Sequence, residues 1–100
     1  MPYNIHKKNL IREAQTNNNL ITIFYEKANG DRVRRIVEPY EVRIEETKDG
    51  LKEFLYAVDD TPATDPSHRT IKRFNVEKLG LIIVLRHRTF FPKYEMKIVT

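Results

Sequence analysis

The stretch "LITIFYEKANGDRVRRIVEPYEV" at residues 20–42 decides the fold class. In its first part, Ile21, Ile23 and Tyr25 alternate with residues of the opposite face, and this period of two is typical of a β-strand. The segment "ANGD" at 28–31 then supplies an Asn-Gly turn, after which strand-like residues resume. An Asn-Gly pair between two such runs is a strong local signal for a β-hairpin.

The second arm of this hairpin is unusually long, since strand-like residues continue from 32 to 46. Apolar and charged residues alternate after Pro39, but before it Ile36 and Val37 are both apolar. A proline inside a strand removes one backbone donor and is found at edges or bulges. We therefore predict a strand that bends at Pro39, as in a small barrel whose strands pass from one sheet to the other.

The rest of the chain supplies one helix and three more strands. No segment between strands is long enough for the crossover helices that a parallel sheet requires. We therefore predict a single domain that is mainly β, with an N-terminal helix (1–19) packed on a small five-stranded antiparallel barrel (20–100) of the Sm-like or Src-homology-3-like type. The expected elements are a helix of two to three turns ending at "TNNN", strands at 51–60, 69–76 and 81–88, an exposed loop at 60–68, a helical turn at 77–80 and an edge strand in "FFPKYEMKIV".

Composition narrows the function classes. The 100 residues include 18 Lys and Arg against 14 Asp and Glu, a net charge of +4 that leans toward anionic partners. There is no cysteine, so disulfides, thiolate metal sites and cysteine nucleophiles are excluded. The longest apolar run, "LIIVL" at 81–85, is far shorter than the roughly 20 residues that span a bilayer. We expect a cytoplasmic protein that does not bind membranes.

Signals for catalysis are weak. His6, His68 and His87 lie far apart without the spacing of metal ligands. The acidic pairs Glu45-Glu46 and Asp59-Asp60 have the chemistry to bind a hard cation or to act as acid and base, but solvated turn carboxylates are the commoner explanation. We therefore expect no enzymatic activity, no metal and no cofactor.

The basic residues fall on segments that a small barrel brings together: 34–35 on the second strand, 69–73 on the fourth and 86–88 on the fifth. Two interpretations stay open from the residues alone. The side chains either point outward and form weak surface ion pairs, which composition favours, or converge on one rim. A converging set would bind phosphate, with Tyr25, Tyr56 or Phe74 stacking a base.

Taken in order, these segments resemble a WYL domain over residues 8 to 98. "NLIREAQTNNNLITIFY" resembles the family's entry helix and first strand, and "NGDRVRRIVEPYEV" its Gly turn followed by Arg, an aliphatic residue and Glu-Pro-Tyr. "EFLYAVDD" stands at the segment that names the family, with Glu53 at the Trp position, Phe54 at the Tyr position and Leu55 matching. "IKRFNVEKL" resembles the strand-turn signature with Asn75 in place of an arginine, and "FFPKYEMKI" resembles the Phe-x-Pro ending.

The resemblance implies an Sm-like barrel that serves as a ligand-sensing module in bacterial transcription regulation or phage defence. It also implies a basic patch for a nucleotide or single-stranded nucleic acid, carried here by Arg35, Lys72 and Lys78 with Tyr25 nearby. Our leading hypothesis adds Arg73 to this patch. About 18 residues precede the barrel, too few for a DNA-binding module, so the expectation for a complete chain is a stand-alone WYL protein that acts through a DNA-binding partner or as a homodimer.

A second hypothesis assigns the chain to protein interaction or oligomerisation, without a nucleic-acid ligand. The run "LIIVL" motivates it, because an exposed apolar edge strand invites pairing with another chain. Affinity for oligonucleotides at two salt concentrations separates the first hypothesis from the second, and light scattering tests self-assembly.

Overall fold

A computed structural model describes residues 2–61 and 70–92. The chain is mainly β, with one helix packed on a five-stranded antiparallel sheet. The predicted loop at 60–68 and the predicted edge strand after residue 90 lie largely outside the described residues. In chain order the elements are α1 (Pro2–Asn17), β1 (Asn19–Glu26), β2 (Arg32–Thr47), β3 (Gly50–Asp59), β4 (Ile71–Asn75), a 3-10 turn (Val76–Lys78) and β5 (Leu79–Thr89).

The helix is longer than predicted. It spans 16 residues, or roughly four turns, where two to three turns were expected. It ends where Asn18 adopts a left-handed conformation (φ 52°) and donates its N–H to the carbonyl of Gln15 at 3.4 Å. Asparagine tolerates this conformation better than most residues and is a common helix stop. Ile11 and Ala14, one turn apart, bury the face of α1 that packs on the sheet.

The predicted β-hairpin is confirmed. β1 and β2 pair antiparallel from Ile21 opposite Val37 to Glu26 opposite Arg32. The intervening turn places Gly30 at φ 91°, a conformation that glycine adopts without steric cost.

The irregularity predicted at the proline is also present. Pro39 lies opposite Ala57 and Glu41 opposite Tyr56, so Tyr40 is an extra residue in β2. A bulge of this kind bends the strand and increases its twist. All five strands nonetheless belong to one sheet.

The strand order is β4-β3-β2-β1-β5, which makes β4 and β5 the two edges. Within the described residues no ladder joins these edges, so the sheet is open where a closed barrel was predicted. The core lies between the inner face of the curved sheet and α1. Its fully buried side chains come from α1, β1, β2, β3 and the 3-10 turn: Ile11, Ala14, Ile21, Ile23, Val37, Leu55, Ala57 and Val76.

No helix in the described part of the chain is long and apolar enough to cross a membrane.

Candidate anion-binding cleft

The five predicted site residues lie in three different environments. For those on strands, the alternation of side chains between the two faces of the sheet determines the environment. Arg35 and Lys72 lie on the inner face of the sheet, whereas Arg73 lies on the outer face. Tyr25 and Lys78 line a cleft at the end of the β1–β2 hairpin. The predicted patch is therefore not one continuous surface.

Asp59 brings Arg35 and Lys72 together. Its carboxylate lies 3.3 Å from Nε of Arg35 and 3.9 Å from Nζ of Lys72, and its side chain is only 3% exposed. The same carboxylate accepts the backbone N–H of Thr61 at 3.0 Å. The pairing positions explain this meeting, since Val37 lies opposite Asp59 and Ala57 opposite Lys72, so all three side chains share one face and one end of the sheet. Arg35 and Lys72 thus hold a buried carboxylate.

Arg73 is occupied on the other face. Its guanidinium lies 3.2 Å from Oε2 of Glu45 and stacks over the ring of Phe54, with 4.2 Å to the centroid. Glu45 also accepts a hydrogen bond from the hydroxyl of Tyr56. This hydrogen bond raises the pKa of Tyr56, with burial adding to the effect, because the neutral phenol is the form that donates.

The cleft has a volume of about 610 Å³, within the usual range for small-molecule sites. A bulge in β5 helps to form it: Ile23 pairs with Ile82 and Tyr25 with Leu79, so Gly80 and Leu81 together oppose Phe24. A bulge of this kind bends the edge strand locally. The functional side chains on the cleft face are one aromatic ring, three cations and one carboxylate: Phe24, Arg32, Arg34, Lys78 and Glu26. Tyr25 also borders the cleft, but its ring lies on the other face of β1 and packs against Phe74, with 5.6 Å between the ring centroids.

The wall that carries Lys78 is fixed from two sides. Asn75 Oδ1 accepts the N–H of Glu77 at 3.0 Å and thereby caps the 3-10 turn. Lys7, a buried lysine of α1, donates to the carbonyls of Val76 and Glu77 at 3.2 and 3.4 Å. Asn75, which departs from the WYL pattern, therefore has a structural role here, since asparagine is a strong N-cap and arginine is not.

The cations of the cleft form no salt bridge among the described residues, unlike several other arginines of the sheet. Within the described residues, none of Arg32, Arg34 and Lys78 forms a salt bridge, whereas Arg35, Arg73 and Arg86 all do. Three cations against one carboxylate, Glu26, leave the cleft with a net positive charge. Such a site attracts anions, and two guanidinium groups offer the paired donors that phosphate accepts.

The patch predicted from the sequence did not include Phe24, Arg32 or Arg34. The signal that identifies them is hairpin register. Once the Asn-Gly turn is placed, Phe24 pairs with Arg34 and Glu26 with Arg32, which puts these four side chains on one face.

Comparison of the sequence with models of known protein families found no match, and comparison with curated proteins found none either. The resemblance to WYL domains rests on the motifs and stays a prediction. Among the described residues, no group of three or more His, Asp or Glu side chains comes together to hold a metal ion.

Proposed function

We propose that this domain is a non-enzymatic binding module whose cleft, lined by Phe24, Arg32, Arg34 and Lys78, recognises a nucleotide or single-stranded nucleic acid. The observation that carries the proposal is a set of three cations that form no salt bridge among the described residues, beside the ring of Phe24. Cations bind the phosphate, and an aromatic ring stacks a base with little regard to its identity. Arg35 and Lys72 lie outside this cleft, where both pair with Asp59.

The proposal includes the WYL resemblance and the Sm-like barrel that it implies. The connection between the two edge strands supports the barrel. A single 3-10 turn joins β4 to β5, so these edges lie next to each other at that point. From the same resemblance we propose a cytoplasmic role in transcription regulation or phage defence, exercised through a DNA-binding partner.

Fluorescence anisotropy with a labelled single-stranded oligonucleotide, with mononucleotides as competitors, tests the proposal. Three phosphate contacts give a slope of log affinity against log salt of about −2, so affinity falls by about 20-fold between 50 and 200 mM salt. In the double variant Arg34→Ala, Lys78→Ala one contact remains, and the fall shrinks to about three-fold.

The matched control is Arg12→Ala, Lys48→Ala, which removes the same charge from exposed positions outside the cleft. It should keep the wild-type salt dependence, because global charge acts only weakly through physiological salt. Equal weakening in both double variants would mean that net charge alone attracts the oligonucleotide, and the cleft would lose its assignment.

A further inference from the structure

Among the described strands, β5 is an edge strand with one unpaired side. It pairs with β1 alone among the described strands, and at 11 residues it is far longer than the other edge, β4, which has five. Natural edge strands of this length usually carry charges or prolines that prevent pairing with another chain. From Leu79 to Leu85, β5 has neither, and Leu81 and Ile83 are exposed on it.

The charges of β5 are confined to one end, at residues 86–88. A parallel neighbour of the same sequence would align the two basic ends, and like charges side by side are destabilising. An antiparallel neighbour places the basic ends at opposite ends of the ladder and sets the apolar middles against each other. A two-fold axis produces this arrangement with one self-complementary surface.

We infer that a second copy of this chain pairs antiparallel with β5, with the two-fold axis near Ile83. The free backbone groups of both strands then form one continuous ladder across the dimer. Ile83, 42% exposed in the single chain, meets its own counterpart at the axis. Burial of this apolar middle adds to the backbone hydrogen bonds, as in other cases of strand addition.

The same pairing completes the cleft. With the axis at Ile82, Ile83 or Val84, counting along the two strands places Arg88 of the partner subunit at the level of residue 76, 78 or 80, where β5 begins and the 3-10 turn ends. This stretch contains Lys78 and Gly80 of the cleft wall, together with Glu77. Arg88 is exposed and forms no salt bridge among the described residues, whereas Arg86 is held by Glu13 through two hydrogen bonds of 2.8 and 3.0 Å. The partner subunit therefore adds a fourth cation to the site.

Because of this fourth cation, anion binding strengthens dimerisation, and dimerisation strengthens anion binding. Without an anion, Arg88 of the partner subunit approaches Lys78, while the neighbouring carboxylate of Glu77 is engaged by Lys52 at 3.5 Å. The net charge that Arg88 meets is therefore positive, which weakens the dimer. A bound polyphosphate bridges these charges and tightens it, and by linkage the dimer binds the anion more strongly than the monomer does. This step rests on the function proposed above, whereas the strand pairing itself does not.

Sedimentation velocity over a range of protein concentrations, with and without inorganic tripolyphosphate, tests both steps. We expect a monomer–dimer equilibrium in which saturating tripolyphosphate lowers the dimer dissociation constant by at least about five-fold, the lower end of usual couplings. Ile83→Lys opposes two like charges at the axis and should give a monomer. Ile44→Lys, at an apolar residue of β2 that is 66% exposed, is the matched control and should dimerise like wild type.

The outcomes separate the two proposals. If Ile83→Lys dimerises as well as Ile44→Lys, or if wild type stays monomeric throughout, the pairing at β5 is refuted. If the dimer forms but tripolyphosphate does not tighten it, or tightens the Arg88→Ala dimer just as much, the completion of the cleft is refuted. If calorimetry shows no tripolyphosphate binding to the wild-type protein, the proposed function fails while the dimer stands.

Discussion

Substitution of Arg35 and of Arg34 should have very different effects on stability. The side chain of Arg35 is 33% exposed and pairs with the carboxylate of Asp59, which is 3% exposed. Arg35→Met therefore leaves Asp59 buried, and Lys72 at 3.9 Å is then its remaining cation among the described residues. Removal of one partner of a fully buried pair costs about 3 to 5 kcal/mol, and since Arg35 is partly hydrated, the expected cost here is about 2 to 3 kcal/mol. Methionine keeps most of the apolar stem, so loss of packing contributes little.

Arg34→Met is the matched control, because Arg34 is exposed and forms no salt bridge within the described residues. It should change the free energy of unfolding by no more than about 0.5 kcal/mol. Thermal unfolding followed by circular dichroism resolves the difference, since a domain of this size loses about 4 to 8 °C in Tm per kcal/mol. We expect Arg35→Met to lower Tm by about 10 to 20 °C.

A double-mutant cycle identifies the cause. Asp59→Asn keeps the acceptor for Thr61 but removes the buried charge, so it should cost only about 1 kcal/mol, the net value of an ordinary polar interaction. In the Asp59→Asn background, Arg35→Met should then cost little, which corresponds to a coupling of about 2 kcal/mol. Additive effects in the cycle, or equal losses for Arg34→Met and Arg35→Met, would refute the reasoning.

Two further predictions concern the helix. Lys7→Met removes the buried ammonium that donates to two carbonyls of the 3-10 turn, so urea unfolding should show a loss of about 2 kcal/mol, against less than about 1 kcal/mol for Lys8→Met at the more exposed Lys8–Glu53 pair. An equal loss for both lysines would contradict a specific role for the buried one. Hydrogen bonds from Arg86 hold the pKa of Glu13 below its ordinary value of 4.5, so any stability from this pair is present above pH 4.5 and is lost as pH falls through the lowered pKa. NMR titration of the Glu13 carboxyl should show its pKa rising toward 4.5 in Arg86→Ala, and an unchanged pKa would exclude the pair as the cause.

Local sequence patterns predicted those parts of the fold that depend on residues close together in the chain. The Asn-Gly turn, the period of two and the central proline were enough to predict the first hairpin and the irregularity in β2. The length of α1 was underestimated, because its first turns carry "PYNIHKK", which shows no apolar stripe. Tertiary contacts compensate for this weak local signal: Lys7 and Lys8 bind the 3-10 turn and Glu53.

The candidate site was less predictable because it depends on register between segments far apart in sequence. The cleft needs a bulge at Gly80–Leu81, and the single glycine is the local signal for it. The sequence prediction named Tyr25 and Lys78, and the structure places both beside the cleft. It grouped them with Arg35, Lys72 and Arg73, which the structure places against carboxylates.

The adjacent arginines of β2 show how this ambiguity can be resolved. Successive side chains of a strand point to opposite faces, so Arg34 and Arg35 cannot serve the same site. The hairpin register pairs Arg35 with Ile23, a fully buried core residue, and therefore turns Arg35 toward the core. An arginine on that face requires a carboxylate, because an unpaired buried charge is too costly, and Asp59 supplies it. Arg34, by the same alternation, faces solvent beside Phe24, and its guanidinium stays available for an anion from outside.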